Sequence, residues 1–467
     1  MQRTEGGILN AAIAANRFGL GARPGDLEYI GGDARGWLKS QIGRADAFLL
    51  NDPALPSRAE ASQSLRRFIR GAMGGAANTA PGKEANQTEA ILGFETFTAA
   101  LRAEIAARAA RALTTQTSFA ERLVRFWSNH FTVAANKAVT VPFAGLYERE
   151  VIRTGMTGSF ADLHLAVMRH PGMLLYLDQA QSIGPNSLAG KRRNRGLNEN
   201  LAREALELHT MGAQGGYGQS DVTEFAKALT GWTVVSEQVR RFAPEAALGD
   251  FVFIERLHEP GTRTVLGKRY PEGGESQARA ILADLARHPA TARRVASSLA
   301  RHFIADEPPI AAVAKLEKTF RETEGDVPAL HETLVDLPET FDERQRKFKT
   351  SDEFILSALR MTGVETVEPQ ALYAAYALLG QRPFSAPSPE GWPDNAGEWA
   401  APDAVMKRLE WSEALARRLP LRTAPAAMAA AALGSMLSAR MAEAVARAAS
   451  GPQGLTLALM SPEFQRR

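Results

Sequence analysis

Apolar residues recur along most of the chain at three- and four-residue intervals, the spacing that gives a helix one apolar face. This pattern predicts helices over 8–45, 94–131, 143–178 and most of 275–380, and again near the end of the chain. Turns such as Arg169-His170-Pro171-Gly172 and Arg287-His288-Pro289 punctuate them. The period changes only in 232–270. There, short runs at 232–235, 251–254 and 264–266, separated by Gly249-Asp250 and Pro260-Gly261, predict a hairpin or a three-stranded sheet. The expected fold is mainly α: one compact, bundle-like domain over 1–467 with a small β element at 232–270. Residues 51–90, and 71–86 above all, are rich in Ala, Gly, Pro, Ser and Asn and predict a flexible insertion. A basic loop is expected at 182–196 and a Pro- and Trp-rich loop at 380–400.

The stretch 196–232 reads as helix, Gly-rich turn, helix. Asn200, Arg203, Glu204 and Glu207 share an arc of about 100° on an otherwise apolar helix. So narrow a polar stripe predicts burial, with the stripe facing a cavity or a polar partner, because unpaired charges are costly there. The second helix starts near Asp221, where Asp221 and Glu224 have the spacing of a capping box. Gly215, Gly216 and Gly218 suit a turn. They make no phosphate cradle, since neither GxGxxG nor GxxxxGK(S/T) occurs.

Composition narrows the chemistry. With 55 basic and 52 acidic residues the net charge is only +3, which is no nucleic-acid footprint. The 467 residues contain no Cys, so thiolate metal sites, disulfides and a Cys nucleophile are excluded. No run is apolar and long enough for a bilayer span. The start of the chain lacks the pattern of a signal peptide, so the expected location is cytoplasmic, with export alongside a partner as the alternative. GxSxG and HExxH are both absent.

The remaining candidates are polar groups near aromatics. Glu204 and Glu207 are spaced to share a hard divalent cation or to act as acids, with Arg203 beside them and His130 contributed from another helix. Trp127, Asn129 and His130 form an aromatic and polar cluster. Asn198, Asn200, His209, Trp232, His258 and Trp392 are further ligand-binding candidates. His258 lies in a loop and is expected to be more exposed than His130. His209 points roughly 160° from Glu207 on a regular helix. Three readings of the 200–207 stripe stay open: a self-satisfied buried network containing an Arg203–Glu207 pair, a metal or catalytic site, and a partner-binding face.

The block LNENLAREALELHTMGAQGGYGQSDVTEFAKALTGWT resembles the signature of the bacterial DUF1800 family, whose function is unknown. Further motifs in the same order carry the resemblance along nearly the whole chain: ANRFGLGARPGDL, the Trp127-x-Asn129-His130-Phe131 cluster, LARHPATARRVASSLARHF, LGQRPF with GWPD, and the closing SPEFQRR. Leu201 stands where the family usually has Tyr, and Ser298-Leu299 where it usually has Lys-Leu. Relatives are commonly encoded beside sulfatase-like DUF1501 proteins that carry twin-arginine signals. The resemblance therefore implies such a partner and transfers no reaction. Two functions follow as expectations: a hydrolytic or ligand-binding protein with a buried Glu/Arg/His site, or a non-catalytic partner or chaperone of an exported DUF1501 protein.

Overall fold

The computed structural model describes residues 5–76, 83–193, 196–344 and 347–467. The fold is mainly α, as the periodicity predicts, and the helices bury two large apolar cores. The larger gathers the Ser118–His130, Phe160–Arg169, Gln219–Leu229, Glu275–Arg287, Pro289–Phe303 and Val327–Asp336 helices. The second surrounds the Ser351–Met361 helix with the Lys83–Thr114, Pro369–Leu378, Pro425–Leu433 and Gly451–Leu459 helices.

The seam between the cores is charged. Every residue of the Ser351–Met361 helix is buried, including Asp352, Glu353 and Arg360. Burial of those groups is tolerable because each is paired. Arg122, on the facing Ser118–His130 helix, binds Glu353, and Arg125 Nε donates to Asp352 Oδ2 at 2.9 Å. Tyr376 donates its hydroxyl to Asp352 at 2.7 Å, and Arg467 Nε donates to Glu353 at 2.9 Å. Glu353 also closes a capping box with Thr350, accepting from its backbone N–H at 3.0 Å. One layer down, Glu121 accepts from Arg153 at 2.6 Å. Removing one partner of such a pair leaves an uncompensated charge, at a cost of about 3–5 kcal/mol.

Two segments differ from the expected layout. The 51–90 stretch, expected as a flexible insertion, instead carries the Arg58–Ala76 helix and the start of Lys83–Thr114, whose later part falls in the predicted 94–131 helix; the two helices pack along each other, and residues 77–82 lie outside the described residues. In place of one hairpin or a three-stranded sheet there are two separate antiparallel pairs. β1 (Trp232–Val234) pairs with β2 (Phe251–Phe253), and β3 (Arg263–Val265) with β4 (Lys268–Tyr270). Leu266 and Gly267 form the tight turn between β3 and β4, with φ of 52° and 74°. Asp221 fastens that turn by accepting from Leu266 N at 2.7 Å. The same side chain accepts from Gly218 N at 2.8 Å, so Asp221 closes the start of its helix on Gly218 instead of pairing with Glu224. Glu224 binds Lys227 and Arg263. The Pro- and Trp-rich 380–400 stretch is irregular except for the short Ala396–Trp399 helix. The basic loop carries one turn of helix at Gly190–Arg193, and its Asn194 and Arg195 lie outside the described residues.

Candidate functional site

A cleft of about 610 Å³ opens where the charged seam reaches the surface. One wall is the end of the Ser118–His130 helix, with Arg125, Asn129 and His130. Another is the Pro289–Phe303 helix, which turns Arg294, Ser298 and His302 inward. The irregular 380–400 segment closes it with Glu390, Trp392 and Asp394. Asn129 anchors that segment at both edges of its amide: Nδ2 donates to Trp392 O at 2.9 Å, and Oδ1 accepts from Trp392 N at 2.7 Å. A Cβ at Gly391 would lie 2.6 Å from Asn129, so a side chain there would force the strap off the helix.

The titratable groups of the cleft have defined roles. His302 Nδ1 lies 2.8 Å from Asp394 Oδ2. The carboxylate must accept there, so Nδ1 carries the proton and Nε2 is left as the basic nitrogen. Nε2 is buried and has no hydrogen-bond partner among the described residues. Burial lowers the His302 pKa more than Asp394 raises it, so the ring is neutral near pH 7. Asp394 is held well below the usual carboxylate range despite its burial, by His302 and then Lys347. Lys347 spans Asp394 at 3.1 Å and Asp306 at 2.5 Å, and Arg467 donates to the His302 carbonyl at 2.5 Å. The imidazole is thus oriented by a carboxylate that is itself pinned.

His130 is also neutral: burial, with the nearby Arg294, depresses its pKa to about 3. Its Nε2–H donates to the His209 carbonyl at 3.0 Å, which leaves Nδ1 as an acceptor. Deeper, Arg108 pairs with Glu148 at 2.9 Å and Arg125 with Asp352. By contrast, Arg294 and Arg301 have no carboxylate within 4.0 Å among the described residues and donate to the carbonyls of Leu208 and Asp306. The Pro289–Phe303 wall of the cleft therefore offers two guanidinium groups without a carboxylate partner among the described residues.

The structure separates the residues singled out by sequence. Asn129, His130 and Trp392 line the cleft. Glu204, Glu207 and Arg203 do not. Arg203 pairs with Glu199 at 3.3 Å and Gln219 at 2.9 Å, not with Glu207, and Glu199 also accepts from Thr223 at 2.6 Å. The buried network expected of Asn200, Arg203, Glu204 and Glu207 is not what forms: Arg203 is 40% exposed, and its partners Glu199 and Gln219 lie outside that stripe. Glu207 meets the Tyr217 hydroxyl at 3.4 Å. Glu204 is half-buried beside the cleft: burial, then the Glu207 carboxylate, raise its pKa, and Glu390 on the cleft wall adds to the rise.

The helix does not stay regular: it widens into a π-helix over Ala205–Thr210, which drives His209 into the core against Phe131 and His164. His258, expected to be exposed, is 4% exposed, with Nδ1 on the Thr230 carbonyl at 2.8 Å. Trp127 and Trp232 are core residues, Trp127 donating to His331 at 3.1 Å. Asn198 caps Asn200 N at 2.9 Å and borders a separate shallow hollow. Among the described residues no group of three or more His, Cys, Asp or Glu could hold a metal ion, and no helix is long and apolar enough to cross a membrane.

Sequence reasoning missed His302, Asp394 and Glu353. His302 and Asp394 are 92 positions apart, and no spacing rule joins them. A faint signal was there: charged residues sit at buried positions in both 118–130 and 351–361.

A mainly α body with a charged cleft at the seam of two cores defines the class of protein. The sequence profile of DUF1800, a protein family of unknown function, matches residues 13–466, and the chain belongs to that family. No curated protein and no solved structure matches it.

Proposed function

We propose that the chain is a hydrolase of a polar, anionic substrate bound in the seam cleft, with His302 as the proton acceptor. What supports this is the His302–Asp394 pair, both residues of which line the cleft, with a His302 Nε2 that is buried and has no hydrogen-bond partner among the described residues. A base needs an oriented ring, a free lone pair and a neutral resting state, and His302 has all three. In the reaction, water gives a proton to Nε2 as its oxygen bonds to the electrophilic centre. The scissile bond breaks, and the proton passes to the leaving group. Arg294 and Arg301 supply positive charge for the substrate or the developing anion. His130 Nδ1 and the Trp392 wall position it. Glu204 and Glu207 lie outside the cleft lining, with Glu204 close enough to feel Glu390 on the cleft wall. They would hold a divalent cation only if substrate oxygens completed its shell.

The test uses p-nitrophenyl esters, phosphates, sulfates and glycosides with wild type, His302→Gln and Asp394→Asn. Turnover of one class, reduced at least about 100-fold in His302→Gln with unchanged Tm, is the expected result. Equal turnover by wild type and His302→Gln, or none from any class, would sink the reading.

A second reading keeps the chain non-catalytic, as the partner of an exported sulfatase-like DUF1501 protein that carries it out of the cytoplasm. Ile91, Leu92 and Phe94, adjacent on the Lys83–Thr114 helix and 58%, 54% and 48% exposed, favour it. Co-expression followed by pull-down checks it, with Leu92→Glu expected to abolish capture.

A further inference from the structure

A second concavity shares no lining residue with the seam cleft and takes no part in the proposed hydrolysis. It is a trough of about 1340 Å³. That exceeds the roughly 300–1,000 Å³ of ordinary small-ligand pockets and suits an extended ligand. Its floor is apolar, from Phe143, Leu175, Val234 and Ile254. One wall is a single face of the Arg58–Ala76 helix, where Ser62, Leu65, Arg66, Ile69 and Arg70 follow i, i+3, i+4, i+7, i+8 spacing. The opposite wall is the segment joining β1 to β2, with Val239, Arg241 and Phe242. Three large apolar side chains at its edge stay in water: Leu188 is 64% exposed, Phe242 42% and Ile69 39%.

Charge on the lining is one-sided. Among the described residues Glu237 is the acidic residue of the lining, and Arg66 neutralises it at 2.9 Å. Arg192, Arg241 and Arg256 also line the trough and have no carboxylate within 4.0 Å among the described residues. Arg241 and Arg256 both lie against the Phe242 ring, at 4.6 and 5.5 Å from its centroid. Their charges therefore sit where the apolar surface ends. Arg192 comes from the basic Lys191-Arg192-Arg193 run, so that run is in part a pocket wall.

We infer that this trough binds a single-chain anionic amphiphile, a long-chain carboxylate taken up as a monomer. Its hydrocarbon lies along the floor, and its head group meets Arg241 and Arg256. An apolar channel alone would accept any hydrocarbon; the surplus of guanidinium at its edge selects a negative head. A recessed floor accommodates one chain end-on to the cations, which a flat bilayer surface cannot offer.

Isothermal titration of the full chain with laurate, myristate and dodecyltrimethylammonium, each below its self-association concentration, tests this. Saturable one-to-one binding of laurate is expected. Two added methylenes in myristate should tighten it about tenfold. The cationic amphiphile should bind at least tenfold more weakly than laurate. Arg241→Gln combined with Arg256→Gln should abolish the preference for negative charge, and Leu188→Glu should weaken laurate at least tenfold, both with unchanged Tm. Absence of saturable laurate binding overturns the inference, as does laurate affinity unmoved by either variant. Flotation with phosphatidylglycerol vesicles without monomer binding would also overturn it, because that result belongs to a membrane-surface protein.

Discussion

At the scale of single residues, the polar pairs made by folding are not the ones that sequence spacing suggests. Glu204 and Glu207 stand out because they share a helix stripe with Arg203; His302 and Asp394 are inconspicuous because their partnership is made by folding. His130, Asn129 and Trp392 were legible since a His and an Asn among aromatics within five positions, and a Trp among prolines, are unusual compositions. Glu204 supplies a residue-scale prediction. Its pKa is raised in the folded state, chiefly by burial and then by Glu207, so holding the charge costs the fold free energy at neutral pH. The sign follows: stability contributed by this group is greatest in acid, where it is protonated in both states, and falls as pH rises through its ordinary range. Glu204→Gln should therefore raise Tm at pH 8 and leave it unchanged near pH 4. The gain should stay under about 1 kcal/mol because the group is half in water. Melting curves at the two pH values check this, and destabilisation at pH 8 would show that the carboxylate is needed for packing.

Helices and turns were legible where one face is apolar, which is why the mainly α fold and the irregular 380–400 segment follow from periodicity. Periodicity anticipated helix from residue 94 onward but not the Arg58–Ala76 helix or the first turns of Lys83–Thr114. Gly, Ser and Asn lower the helix propensity of this stretch, and mutual packing of the two helices outweighs it, with Phe68, Phe94 and Phe97 rings 5.2–6.3 Å apart. Nor does a wheel drawn at 100° per residue foresee a π turn. Ala205–Thr210 holds one more residue than the regular spiral, and Thr210 Oγ1 donates to the Ala205 carbonyl at 2.6 Å. Asp221 shows how one side chain can join elements. It closes the start of its own helix on Gly218 and fixes the Leu266 turn, where a non-glycine residue sits at positive φ. Asp221→Ala removes both bonds, and a loss of about 1–2 kcal/mol is expected. Urea denaturation of this variant checks the figure. Asp221→Asn, which keeps an acceptor oxygen, should recover at least half.

Across the whole molecule, the two cores meet through charges, and four histidines, His130, His164, His209 and His331, are buried without charge. Burial depresses His130, His164 and His331 to about 3 and pushes His209 well below its usual value. In the unfolded chain each would titrate near 6.5. Below about pH 6.5 the unfolded state therefore binds protons that the folded state refuses, and stability falls as pH falls. Each histidine contributes a slope of up to about 1.4 kcal/mol per pH unit, so four together approach about 5 kcal/mol per unit. The carboxylates add to this only later. Glu121, held down to about 2 by Arg153 and Arg125 against the cost of burial, stabilises the fold above its unfolded value, and that contribution is lost as pH drops from about 4.5 toward 2. A fold of ordinary stability, about 5–15 kcal/mol, should consequently unfold between about pH 5 and 4, before the seam ion pairs are titrated. His164 isolates the cause, because both its ring nitrogens are buried without a partner among the described residues. His164→Leu removes that unsatisfied polarity, so it should match or exceed wild type at pH 7.5 and lose about a quarter less stability between pH 6 and 5. Urea midpoints at pH 7.5, 6 and 5 decide the matter. A midpoint that holds level from 7.5 to 5 would mean that the imidazoles find water or one another in the folded state, and that acid lability starts instead at the carboxylate seam.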